Sequence, residues 1–382
     1  MKRLGCISLA LIFVFSALAV PVCAEEPEYP GKSYCLMDAA TGTVLKAYNE
    51  HASLAPASVT KIMTLLLIME AIDSGSLKWT DTVTASEAAA AKGGSQVYLK
   101  VGETMTVEEM VKSIAVSSAN DCACAMAEHL AGSEAAFVEK MNARAAELGM
   151  NDTHFVNCTG LDDDPGAKEH KTSAYDIALM SRELLVNHPD IKRFTTIWMD
   201  SVRGGAFGLS NTNKLVRFYD GCTGLKTGFT SSAGYCLSAS AERNEMELIA
   251  VVMGAATSND RFNACRAMLD YGFANFALYT AEMPLADPIP VKLGRADSVT
   301  AVPERSLSLL VPKNELSSLD VRVELAESLT APVEQGQTVG ELLILRDGSE
   351  LARIPMVAET AVERLTFADL VRQLLGKVAM AG

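Results

Sequence analysis

The sequence predicts an α/β domain built on one largely antiparallel sheet with helices, then a small all-β domain, then an amphipathic C-terminal helix. Three observations carry this. Short β-compatible segments lie at both ends of residues 32–276 with helical periodicity between them, so strands from distant parts of the chain should share one sheet. Pro284, Pro288 and Pro290 mark a change of texture, beyond which short alternating strands run to about Ala358. After Thr360, apolar residues recur at helical spacing. The 382 residues, 49% hydrophobic and 21% charged, can bury the cores of two such domains.

Residues 1–24 read as a targeting segment. Lys2 and Arg3 precede an apolar run from Leu4 to Val20, and Val22-Cys23-Ala24 supplies the small or modest side chains that a signal peptidase reads. The run is too short and too close to the start to be a permanent anchor, so cleavage after Ala24 and export are expected. Cys23 offers a lipidated alternative, but Val20-Pro21-Val22 is a poor approach to a lipidated cysteine.

Next, Tyr34–Met37 and Thr43–Leu45 flank an Ala40-Thr41-Gly42 turn and read as a hairpin. From Val59 to Ile72 almost no polar face remains, so this helix should lie in the core. Further helices are expected over Val107–Val116, Ala119–Leu130, Glu134–Leu148 and Ser173–Leu185, the last with Ser173 and Asp176 as a capping pair. Strands are expected over Gly224–Thr230, Tyr235–Ala241 and Glu247–Met253, with Glu242-Arg243-Asn244 linking the last two. Asp260–Phe276 then reads as a helix. In the second domain Ser308–Val311, Val321–Leu325 and Glu341–Leu345 read as strands, and Asp347-Gly348 as a hairpin turn. In the tail, Phe367, Leu370, Val371, Leu374, Leu375 and Val378 form one stripe, and Thr366 with Asp369 can cap its start. The stripe suits a helix docked on its own domain or one lying in a membrane interface; the near balance of acids and bases in the tail weakens the lipid reading.

A formal net charge of -14 excludes a nucleic-acid partner, because phosphate backbones need a basic face. Seven cysteines remain after residue 24, an odd number with no C-x-x-C pair, which is neither a disulfide framework nor a zinc site. Cys222 and Cys236 lie on segments that can be adjacent, leaving one disulfide open.

Three separated motifs carry chemistry. Ser58 and Lys61 are three apart at the start of the buried helix, so their side chains are neighbours. A serine hydroxyl needs a base to become a nucleophile, and a lysine amine is one only where burial disfavours its charge. The helix dipole also favours an anion at Ser58. Alone, this spacing more often marks an N-cap serine and a lysine reaching for solvent. Ser118-Ala119-Asn120 stands between two helices and would by itself be a capping turn. Lys226-Thr227-Gly228 would by itself be an edge strand with an exposed lysine. Together and in this order they match the known motif set of serine acyl-transferases that react with penicillin.

The chain resembles a D-alanyl-D-alanine carboxypeptidase, a low-molecular-mass penicillin-binding protein. Pro56–Thr64 resembles the family's nucleophile motif, and Ser118-Ala119-Asn120-Asp121 its second, with alanine where glycine is frequent. Asp220-Gly221 with Gly224–Thr230 and Ala233-Gly234-Tyr235 resembles the third; Cys222-Thr223 lengthens it, and Phe229 stands where histidine is common. Ala331-Pro332-Val333, Gly336-Gln337 and Val339-Gly340 resemble the family's C-terminal β-domain, and the tail its membrane anchor. The resemblance implies a β-lactamase/transpeptidase-like catalytic domain over residues 25–282, a β-domain over 283–358 and a membrane-surface helix over 359–382. It implies attack by Ser58 on the bond between the last two D-alanines of a peptidoglycan stem peptide, with Lys61 as base and Ser118 relaying a proton to the leaving amine. It implies that Asn120 binds the substrate amide, that Lys226 and Thr227 bind the terminal carboxylate, and that the N–H groups of Ser58 and Phe229, beside Gly228, form the oxyanion hole. No metal or cofactor is required, β-lactams should acylate Ser58, and the site should work outside the cytoplasmic membrane. The rivals are a serine β-lactamase, a D,D-endopeptidase or transpeptidase, and an inactive peptidoglycan binder. The first needs a deacylating acid between the second and third motifs, where Thr159–Lys171 lacks the Glu-x-x-Leu-Asn pattern. His154 and His170 are left out, since the lysine already supplies a base.

Overall fold

The computed structural model describes residues 28–163, 166–281, 287–305, 308–369 and 371; the expected targeting segment lies outside them. Strands β1 (Ser33–Asp38), β2 (Val44–Tyr48), β3 (Cys222–Thr230), β4 (Gly234–Arg243) and β5 (Met246–Ala255) form one sheet in the order β2-β1-β5-β4-β3. Every neighbouring pair is antiparallel, and the N-terminal strand lies against β5 from the far end of the region. The β4–β5 turn is Asn244-Glu245, one residue later than expected. Both have positive φ, 50° and 63°, which suits the right-handed twist of a two-residue hairpin.

Helices α1 (Lys61–Asp73), α2 (Val107–Ser117), α3 (Asn120–Ala131), α4 (Glu134–Glu147) and α5 (Ala174–Asn187) cover one face of the sheet, and α6 (Ser258–Asn275) the other. Alternate side chains of β1 and β5 therefore enter different cores. Cys35, Met37, Ile249 and Val251 join the helical cluster, while Leu36, Leu248, Ala250 and Val252 pack beneath α6. Burial on both faces is why β5 reads as an unbroken apolar run from Leu248 onward. At α1, the residues before the helix form a 3₁₀ turn, Ala57–Thr60, so Ser58 precedes the α-helix and Lys61 begins it.

The caps explain where the helices start. Thr106 and Glu109 close a reciprocal box at α2, as Thr257 and Asp260 do at α6. At α5 only half of the expected pair forms. Ser173 Oγ accepts from Asp176 N at 3.1 Å, but the Asp176 carboxylate turns to Asp152 N (2.9 Å) and Thr153 Oγ1 (2.7 Å).

Strand β6 (Phe276–Thr280) follows α6 directly, where the sequence reading extended the helix to Phe276. With β7 (Ala301–Pro303), β8 (Ser308–Pro312), β9 (Leu319–Leu325), β10 (Thr338–Arg346) and β11 (Ser349–Ala358), two sheets arise, β6 with β8 and β7-β11-β10-β9, and a third joins the short strands Ile289–Lys292, Ser298–Val299 and Leu329–Thr330. Their core includes Ile289, Val291, Val339, Leu342, Ile344, Ile354 and Met356. Asp347-Gly348 makes the expected β10–β11 turn, both with positive φ.

Thr366 Oγ1 accepts from Asp369 N at 3.3 Å, and the Asp369 carboxylate accepts from Thr366 N at 3.0 Å, so the expected cap is in place. Phe367, the first stripe residue, is 82% exposed. Leu370, Leu374, Leu375 and Val378 lie outside the described residues. Among the described residues no helix is long and apolar enough to cross a membrane. The seven cysteines among the described residues are free thiols. The open Cys222–Cys236 disulfide is not made: Cys222 stands opposite Ala241 and Cys236 opposite Gly228, at different heights of the β3–β4 ladder.

Candidate active site

The nucleophile turn runs from Pro56 into α1. Lys61 is fully buried, with Nζ 2.9 Å from Ser58 Oγ and donating to Thr159 O at 2.8 Å. Burial pushes this amine down to about 7, against the opposing pull of the nearby Cys158 and Asp121. A neutral amine spends one N–H on the Thr159 carbonyl and leaves its lone pair for the Ser58 hydroxyl. That is the arrangement a general base requires.

Two glycines let other segments reach this turn. A Cβ at Gly160, whose φ is +81°, would lie 1.8 Å from Ala57 O. A Cβ at Gly228 would lie 2.6 Å from Pro56 O and 3.1 Å from Ser58 N, so β3 can run beside the nucleophile only with glycine there.

The second motif joins α2 to α3. Ser118 ends α2 in the left-handed region, φ 64° and ψ 30°, an uncommon conformation for serine that turns the chain at the site. Asn120 opens α3. Its Nδ2 donates to Gly93 O at 2.7 Å, while its buried Oδ1 has no partner among the described residues. The Asp121 carboxylate accepts from Val97 N, Leu99 N and Cys122 N at 2.9–3.3 Å, tying residues 93–99 across the motif.

The third motif lies on β3, which is an edge strand, yet Lys226 is only 1% exposed and donates to Thr227 O at 2.9 Å. Burial, with Lys61 and Arg261 nearby, drives its amine well below the ordinary lysine range. Thr227 Oγ1 donates to Thr212 Oγ1 at 2.6 Å. Phe229 is half exposed, its ring 4.3 Å from that of Tyr235. Arg261, on α6, donates through Nη1 to Gly228 O (2.8 Å) and Cys236 O (3.2 Å), and its buried Nε has no partner in the protein.

These segments close on one cleft of about 240 Å³, lined by Ser58, Ser95, Ser118, Thr212, Thr227, Gly228, Phe229 and Arg261. The structure thus gathers Ser58, Ser118, Thr227, Gly228 and Phe229. Lys61 sits behind Ser58, Lys226 is adjacent in sequence to Thr227, and Asn120 follows Ser118 at the flank. His154 and His170 do not line the cleft. Sequence reasoning missed Arg261, Thr212, Ser95 and the Thr159 carbonyl. Arg261 sits on a helix with no local signal, and Thr159 acts through its backbone.

Two family models match this architecture. The one described as D-alanyl-D-alanine carboxypeptidase covers residues 21–257, and that of the penicillin-binding protein 5 C-terminal domain covers residues 273–364. The chain belongs to the D-alanyl-D-alanine carboxypeptidase family. It is 41% identical to D-alanyl-D-alanine carboxypeptidase DacF of Bacillus subtilis over 92% of this chain and 91% of that one. Among solved structures, penicillin-binding protein 5 of Haemophilus influenzae superposes with a TM-score of 0.75 at 30% identity, over 89% of this chain and 99% of the other. Penicillin-binding protein D2 of Listeria monocytogenes, solved in its ampicillin-bound form, superposes at 0.57 and 30% identity, over 65% of this chain and all of the other. As a member of this family the protein is a serine-type peptidase of the penicillin-binding group, with the catalytic α/β plus all-β architecture of that group.

Proposed function

We propose that this carboxypeptidase removes the terminal D-alanine from peptidoglycan stem peptides ending in D-Ala-D-Ala, through an acyl-enzyme on Ser58. The observation that carries this is the buried Lys61 amine, 2.9 Å from Ser58 Oγ and held down to about 7 by burial. In this reading Lys61 takes the Ser58 proton, and the N–H groups of Ser58 and Phe229 stabilise the oxyanion. Ser118 passes a proton to the departing D-alanine nitrogen, and water then releases the acyl group. The unpartnered Asn120 Oδ1 suits an amide N–H of the substrate. The terminal carboxylate goes to Thr227 and to the positive field of Lys226, with Arg261 beside them. An anion there favours the charged form of Lys226, which burial first, and then the neighbouring Lys61 and Arg261, disfavour without it.

β-Lactams acylate the same serine in this proposal, and the adduct is long-lived. Asp162 and Glu169 do not line the cleft, and Asp162 is engaged by Ser232 Oγ at 2.8 Å, which speaks against the β-lactamase alternative. We assign the chemistry to residues 25–282, the β-domain to 283–358 and a membrane-surface anchor to 359–382, with export directed by residues 1–24. The direct test is release of the C-terminal alanine from a peptide ending in D-Ala-D-Ala, with a D-Ala-L-Ala control. Release from the first alone is expected; release from neither overturns the proposal.

Two further outcomes follow. Gly160→Ala should lower turnover about 100-fold, because the new methyl displaces Ala57 O beside the nucleophile. Gly75→Ala is the control: its φ is also positive, +74°, but nothing lies within 4 Å, so it should cost stability and leave turnover alone. Equal turnover in both variants would contradict the packing argument. Truncation before Thr360 should move the protein from the membrane to the soluble fraction with turnover unchanged. Unchanged partitioning would favour a helix docked on its own domain.

A further inference from the structure

The tautomer of His170 is set by its neighbours. Val156 N–H donates to Nδ1 at 3.1 Å, so that nitrogen carries no proton and the hydrogen of the neutral ring sits on Nε2. Nε2 lies 2.8 Å from Thr60 Oγ1, and Thr60 Oγ1 donates to Ala57 O, again at 2.8 Å. Since a carbonyl oxygen only accepts, the chain runs one way: Val156 N–H to His170, His170 to Thr60, Thr60 to the Ala57 carbonyl. His170 is 3% exposed and Thr60 fully buried. Burial pushes the imidazole down to about 4, so the ring stays neutral wherever Lys61 can act.

The Ala57 carbonyl shares its peptide unit with Ser58 N–H. In a trans peptide the two point in opposite directions within one plane, so anchoring the oxygen aims the N–H. The anchor is needed, because Ala57 has φ +49°, a region that alanine seldom occupies. The oxygen is also confined by Gly160, where even a methyl group would overlap it. A carbonyl that accepts a hydrogen bond also polarises its peptide, which strengthens the N–H as a donor.

We propose that Thr60 and His170 are positioning residues that hold the Ala57–Ser58 peptide so that the Ser58 N–H meets the oxyanion formed during acylation. This rests on the reading of Ser58 as nucleophile and oxyanion donor given above. Neither residue touches the substrate and no proton passes along the chain. The interaction is strongest when charge develops on the substrate oxygen, so it acts on the chemical step and not on binding.

Thr60→Val keeps the shape of the side chain and removes the donor to Ala57 O. It should lower kcat for a D-Ala-D-Ala peptide about 10–100-fold with KM within about twofold, less than the loss of an oxyanion donor outright. Affinity for a peptidyl boronic acid, whose tetrahedral adduct places an oxygen in the oxyanion position, should fall by a similar factor. The limb of the pH profile near 7 should stay where Lys61 puts it, and Thr60→Ser should restore most of the activity. His170→Phe, which keeps a ring against Phe155, should act in the same direction; if it does not fold, Thr60→Val carries the test. Wild-type kcat in Thr60→Val, a loss that serine does not rescue, or a loss expressed in KM would each overturn the inference. A wild-type enzyme unable to react with either peptide or penicillin would instead overturn the parent reading.

Discussion

Replacing Lys61 with arginine is expected to lower Ser58 acylation at least ~10³-fold while leaving the protein folded. Arginine keeps much of the length of lysine and the charge of its protonated form, but it does not give up its proton. It therefore separates a role as base from a role as cation. Loss of a general base alone accounts for about 10²–10⁴ in rate. The accompanying pH dependence has a definite sign. Burial places the Lys61 amine at about 7, so the competent neutral form fills as pH rises through that value, and kcat/KM should climb along a one-proton limb there. Lysine at its ordinary value of 10.5 would put the limb more than three units higher. Stability has the matching sign. Between about 7 and 10.5 the unfolded chain holds a proton on this lysine that the folded chain has lost, so the fold gains stability as pH rises through that window. Kinetics of wild type and Lys61→Arg from pH 5 to 10 check both statements; a flat wild-type profile, or an arginine variant with substantial activity, would mean that another group is the base.

Replacing Ser58 with alanine should have the largest effect, with D-alanine release falling on the order of 10⁴-fold or more and covalent reaction with penicillin abolished. The cleft should still take substrate, because the proposed carboxylate site around Thr227, Lys226 and Arg261 and the proposed amide site at Asn120 are untouched. A competitive binding assay with the unreacted peptide should therefore give a dissociation constant within a few-fold of the wild-type KM. Ser58 is half-buried and meets one polar partner, so the melting temperature should change little. Parallel measurement of release, binding and melting separates loss of the nucleophile from loss of the fold.

Much of this arrangement was legible in the sequence because it is local. The α1 helix betrayed itself by a first turn and body almost without a polar face; its early polar residues, Lys61 and Thr64, proved buried with partners at the Thr159 and Cys158 carbonyls. The turn at Asp347-Gly348 and the caps at Ser173 and Thr366 follow from residue chemistry over three or four positions. What was not legible depends on topology. Lys226 lies on an edge strand and looks exposed until α6 supplies Arg261 and the nucleophile turn comes up to Gly228. Strand β6 follows α6 with no glycine or proline between them, so nothing in the composition marks the change. Backbone groups such as Thr159 O and the Ala57–Ser58 peptide carry no signature of their own, although they hold Lys61 and the proposed oxyanion donor.

The central claim is that one serine, activated by a neutral lysine three positions on, is where this protein becomes acylated. Mass spectrometry after exposure to benzylpenicillin tests it most directly, by locating the adduct within a proteolytic digest. The account predicts one penicilloyl group on the peptide that carries Ser58, and none in the Ser58→Ala variant. An adduct on any other residue, or one that persists in that variant, would contradict it.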